Sequence, residues 1–91
     1  MRKEFYVIAF ESTHYAIMAE KKLKGKFNIQ TIPTPREITA SCGLSIMFGG
    51  EILQDIKEEL ISQKLESDKL DMYKIIRNDD GKRAEKISWR Q

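Results

Sequence analysis

Cysteine, histidine and tryptophan occur once each in this chain, and proline twice. One cysteine excludes a disulfide within the chain and fits a reducing compartment. It also excludes a cysteine-built metal cage inside one chain, so a metal chaperone would need ligands from two copies. No apolar run approaches the roughly 20 residues of a membrane helix. The run Phe5–Phe10 is too short for a signal-peptide core and has no small-residue cleavage site after it. The expectation is therefore a cytoplasmic protein with no membrane association. An excess of charge is missing as well: the net value is +2, too small for a nucleic-acid footprint. The first 50 residues hold seven Lys/Arg against four Glu, and residues 51–91 hold nine against ten acids. Neither half suggests a polybasic tail. Tyr6 and Phe10 have no basic residues interleaved with them, so they read as core or interface rather than a base-stacking platform. No internal repeat or low-complexity segment is present, and nothing implies a cofactor or a bound metal.

What is present is enough for one small domain. The chain has 91 residues, which allows a modest core. Phe5–Phe10 is apolar on both alternating faces, as in a strand covered on both sides. Ser12 is suited to cap a following helix. Ala16, Ala19 and Leu23 then recur at helical spacing, and Lys21, Lys22 and Lys24 crowd the last turn, where the helix dipole favours cations. Gly25 is a natural stop, so the spacing predicts a helix over Thr13–Lys24. Phe27–Ile32 reads as a second, edge strand. Leu44, Ile46 and Phe48 share one face of a third. After Gly49-Gly50, Glu51 opens a second helix with Ile52, Ile56 and Leu60 on its apolar side and Leu53 beside them. Ser67–Lys69 reads as a loop and Leu70–Arg77 as a fourth strand. Asn78–Gly81 is a turn signal. Residues 1–78 form the expected single α+β domain, and 79–91 a turn with a short strand through Ile87 and Trp89, or a loose tail.

The order β-α-β-β-α-β points to a ferredoxin-like two-layer sandwich, with a four-stranded antiparallel sheet and two helices on one face. Its first and third strands are central, and here those two are the most apolar. This topology brings Ser12-Thr13-His14, the segment Pro33–Gly43 and the loop Lys64–Asp71 to one edge of the sheet.

The chemical centre is Pro33-Thr34-Pro35-Arg36-Glu37-Ile38-Thr39-Ala40-Ser41-Cys42-Gly43. Both prolines stiffen its start, and Thr34 before Pro35 is pushed towards extended backbone. A free thiol titrates near about 8.5 and reacts as its thiolate, which a helix N-terminus, a histidine or an arginine favours. His14, Arg36 and the start of the first helix can supply these. Gly43 would let a reactant approach the backbone closely. Each residue also has a bland reading. Cys42 can be a small buried apolar residue, and Ser12 and Thr13 can be helix caps. His14 can be a surface residue, and Arg36 can be a solvated partner of Glu37. Met18, Met47 and Met72 read as core filler.

Phe10-x-Ser12-Thr13-His14-x-Ala16, Glu20-x-x-Leu23, Ile32–Ile38 and Ser41-Cys42-Gly43-Leu44 together resemble the small bacterial proteins described as putative selenium/sulfur carrier-like. The resemblance spans Glu4 to Phe48. It implies a cysteine that carries a sulfur or selenium atom: Cys42, with Ser12, Thr13, His14, Arg36, Ser41 and Gly43 around it. Donor and acceptor proteins would be its partners. The alternative is a small-ligand or protein-interaction module without covalent chemistry, in which the Pro33–Gly43 loop binds an anion or a partner and Cys42 is incidental. A Cys-His hydrolase or acyltransferase ranks below both, because no oxyanion hole is evident. A homodimer through the sheet edge or face stays open.

Overall fold

The computed structural model describes residues 3–36, 38, 43–62 and 70–88. Its elements are β1 (Lys3–Phe10), α1 (Thr13–Lys24), β2 (Gln30–Pro33), β3 (Leu44–Phe48), α2 (Leu53–Ser62), β4 (Leu70–Asn78) and β5 (Gly81–Ile87). A single 3-10 turn, Gly50–Ile52, leads into α2. The expected helix over Thr13–Lys24 is present with those bounds.

The class is α+β, with two helices and an antiparallel sheet. The expected four-stranded ferredoxin-like sheet is corrected: among the described residues the sheet has five strands, ordered β2-β3-β1-β4-β5. The fifth arises because Asn78–Gly81 makes a tight reversal. The Asp80 amide donates to Asn78 Oδ1 at 2.9 Å, and Gly81 takes φ 135°, a region open to glycine and costly for other residues. The chain then pairs back on β4 from Gly81 to Ile87. The C-terminal segment is thus a full edge strand through Ile87, while Trp89 lies outside the described residues.

Alternation along β1 feeds two apolar layers. Ile8 and Phe10 join Ile46, Phe48, Leu70 and Met72, and against them pack Ala16, Ala19 and Leu23 of α1 with Ile56 and Leu60 of α2. Both helices therefore cover this first face. Each fully buried large side chain here contributes about 1.5–3 kcal/mol of transfer free energy. Tyr6 and Phe48 stack at its margin, with ring centroids 5.8 Å apart, and Phe10 is core. Met72 is buried there and Met18 packs against the same layer. Val7 and Ala9 point the other way and are buried with Ile75 and Ile38. Ile38 comes from the segment between β2 and β3, and its side chain packs on this second face.

β2 is shorter than the alternation of Phe27–Ile32 predicts. The amides of Lys26 and Phe27 both donate to Leu23 O, at 3.0 and 2.8 Å. This wraps the end of α1 and turns Phe27 and Ile29 into the helix-side core. Gly25 keeps right-handed helical backbone (φ −73°), so the helix ends through this wrap and not through a left-handed glycine. Pro33 is tolerated in β2 because an edge strand leaves one side unpaired.

Candidate functional site

The loop between β2 and β3 is fastened at three places. Pro33 pairs with Leu44, and immediately beyond that pair the Thr34 amide donates to Gly43 O at 2.9 Å. Second, the Thr34 and Ser45 hydroxyls lie 2.8 Å apart, and Ser45 is fully buried. Third, the Ile38 amide donates to Pro35 O at 3.0 Å, and the Ile38 side chain, 5% exposed, packs on Val7, Ala9 and Ile75. Two prolines and these fastenings leave the start and base of the loop little freedom. Glu37, Ser41 and Cys42 lie outside the described residues. Gly43, the next residue after Cys42 in the chain, is exposed, and a Cβ placed on it would meet nothing within 4 Å. The backbone there is open to an approaching group.

The register places the other candidates at the same end of the sheet. Ala9 pairs with Ser45, Phe10 with Leu70 and Pro33 with Leu44. The end of β1, the base of the loop and the start of β4 are thus level. α1 begins here. Ser12 caps it, accepting the Tyr15 amide on Oγ at 3.2 Å, which is the bland role anticipated for it. Ser12, Thr13 and His14 are all exposed.

Arg36 goes elsewhere. It lines a shallow hollow on the second face together with Phe5, Ile32 and Met47, whereas α1 belongs to the first face. His14 and Arg36 therefore address opposite sides of the sheet. Among the described residues, neither makes a side-chain hydrogen bond or ion pair. Thr31 donates to Glu20 and Lys26 pairs with Glu59 at 3.0 Å, which ties α1 and its following turn to the rest of the domain.

Sequence reasoning assigned no role to Ser45 or Ile38, and none to the Thr34 side chain. A signal for Ser45 existed: it is the one polar residue of Leu44–Phe48, and on a strand whose two faces are both covered it needs a buried partner. Among the described residues there is no cluster of three or more His, Cys, Asp or Glu that could hold a metal. Among the described residues no helix is long and apolar enough to cross a membrane.

Fold and loop together define a class: a small α+β domain with helices on one face and a clasped, proline-stiffened loop at one end of its sheet. The chain belongs to the family described as "Putative Se/S carrier protein-like", whose model matches residues 5–71. That match takes in the whole loop and continues through α2 to the first residues of β4, beyond the Glu4–Phe48 resemblance read from the motifs. No curated protein and no solved structure matches the chain.

Proposed function

We propose that the chain carries sulfur, or selenium in its place, on Cys42. The observation that supports this most is the Thr34–Gly43 clasp at 2.9 Å, which fixes the residue next to the only cysteine at an open point of the backbone. In the proposed step the Cys42 thiolate attacks the outer sulfur of a donor persulfide, R–S–SH. A sulfur–sulfur bond from Cys42 to that outer sulfur forms, the sulfur–sulfur bond of the donor breaks, and RS⁻ leaves. One zero-valent sulfur moves, so no external oxidant or reductant enters. A nucleophile on the acceptor then takes the outer sulfur by the same exchange and Cys42 returns as thiolate. No second cysteine is needed on this chain. The proposed stabilisers of the anion are the start of α1, His14 and the Arg36 guanidinium. Ser41 and Gly43 are its neighbours in the chain. A donor protein and an acceptor protein are the partners this chemistry requires.

The alkylation rate of the thiol as a function of pH tests the reading. A carrier thiol should react with iodoacetamide at pH 7 faster than free cysteine does, with an inflection below about 8.5. A rate equal to or below that of free cysteine, with an inflection at or above that value, counts against it and favours an incidental cysteine.

A further inference from the structure

Exposed charge is segregated between the two helices. The exposed positions of α1 are Thr13, His14, Ile17, Lys21, Lys22 and Lys24, without a carboxylate. Those of α2 are Gln54, Asp55, Glu58, Ile61 and Ser62, without a cation. The other charged side chains of the two helices are half-buried: Glu20 accepts from Thr31, Glu59 pairs with Lys26, and Lys57 lies between the exposed and buried sides of α2. Among the described residues, Lys21, Lys22, Lys24, Asp55 and Glu58 have no ion-pair partner. Each exposed stripe also leaves one apolar side chain in water. Ile17 is 45% and Ile61 42% exposed, and they are the exposed large hydrophobics among the described residues.

The two stripes complement each other across two copies of the chain. α1 follows β1 and α2 follows β3, and these strands are antiparallel, so the helices run back along the sheet in opposite directions. Lys21 and Lys24 follow Ile17 by one and two turns, and Glu58 and Asp55 precede Ile61 by the same steps. Laid antiparallel, Ile17 with Ile61, Lys21 with Glu58 and Lys24 with Asp55 fall level to within about 1.5 Å of helix rise. We propose that the helix layer is a self-association surface. Two copies pair about a two-fold axis running along the helices, α1 of one on α2 of the other, with Ile17 against the partner's Ile61 and the two lysines against the partner's Glu58 and the partner's Asp55. The two-fold makes each contact twice, and the charges set its register. The occupant is a second copy because the complement of each stripe lies on the chain itself. The helices are about 18 and 15 Å long, so this surface falls short of the roughly 800 Å² per partner of a standard interface. The association is therefore weak and reversible, with a dissociation constant on the order of 0.1 mM. It uses neither Cys42 nor the segment before it, so it stands or falls apart from the carrier reading.

Sedimentation equilibrium of the full chain between about 10 µM and about 1 mM tests this. The wild-type mass should climb from 10.6 kDa towards twice that value, and less so in high salt. Lys21→Glu with Lys24→Glu should weaken association at least about tenfold, and Asp55→Lys with Glu58→Lys likewise, because each sets like charges face to face. An equal mixture of these two variants should associate as the wild type does, since every stripe then meets its opposite. Lys3→Glu with Arg77→Glu makes the same change in net charge outside the helix layer. That variant should associate like the wild type and should not rescue the Asp55→Lys, Glu58→Lys chain. Ile17→Ser, which alters no charge, should weaken association and leave the melting temperature of the dilute protein unchanged. A wild-type chain that stays monomeric at about 1 mM would overturn the proposal. So would a mixture of the two helix variants that stays monomeric, rescue by the Lys3→Glu, Arg77→Glu chain, or unchanged association of Ile17→Ser.

Discussion

The hydroxyl of Thr34 and the hydroxyl of Ser45 meet at 2.8 Å where the β2–β3 loop leaves the sheet, and Ser45 has no solvent exposure. A polar side chain on a strand covered on both faces is tolerated only when it is hydrogen-bonded. The same Thr34 holds Gly43 through its backbone amide. One residue therefore satisfies the buried serine and closes the loop that ends in Cys42-Gly43.

Thr34→Val keeps the amide and removes the hydroxyl, leaving Ser45 Oγ buried without that partner. The expected cost is about 1–3 kcal/mol in urea unfolding. Ser45→Ala alone should cost about 1 kcal/mol, and the double variant less than the two together, because no orphaned hydroxyl remains. Strict additivity would contradict the pairing.

Ile38 is the apolar anchor of the loop. Ile38→Ala should lose about 2 kcal/mol or more, the low end for such truncations in a core, and Ile38→Val less. Hydrogen exchange gives the sharper readout: the Thr34 amide, which donates to Gly43, should exchange faster in Ile38→Ala relative to the amides of β1. Equal protection in both proteins would show that Ile38 does not hold the clasp.

Two glycines should respond in opposite directions. Gly25 has helical backbone with open space around it, so Gly25→Ala should stabilise by about 0.5 kcal/mol through the unfolded chain. Gly81 has equally open space but φ 135°, so Gly81→Ala should destabilise by about 1 kcal/mol or more and loosen the β4–β5 hairpin. Thermal unfolding of both variants distinguishes them, and a shift of the same sign would refute the assignment of the β4–β5 turn.

Much of this fold is legible in the sequence where periodicity and chain-end chemistry agree. Ser12, the Ala16–Ala19–Leu23 stripe and the terminal lysines specify α1. The two-sided apolarity of Phe5–Phe10 announces the strand flanked by pairs on both sides. The end of α1 is less legible, because Phe27 alternates like a strand residue yet is captured by hydrogen bonds to Leu23 and by the helix-side core. The fifth strand was ambiguous for a related reason: Gly81–Ile87 is mostly charged and exposed, so burial gives no signal, and only the turn chemistry of Asn78–Gly81 betrays the pairing. At the candidate site, Pro33, Pro35 and Arg36 were visible as a stiff cationic segment. The coupling of Thr34 to Ser45 and of Ile38 to Val7 was not, since it depends on which face of the sheet Thr34 and Ile38 meet. The separation of Arg36 from His14 follows from that same choice of face.

The most direct measurement is intact mass of the full chain after incubation with a cysteine desulfurase and cysteine, followed by peptide mapping. The wild-type protein should gain one sulfur atom on the peptide holding Cys42, lose it on reduction with dithiothreitol, and gain none as Cys42→Ser. A wild-type chain that stays unloaded while the desulfurase itself carries persulfide, or a Cys42→Ser chain that still takes up sulfur, would contradict the assignment of the thiol as carrier.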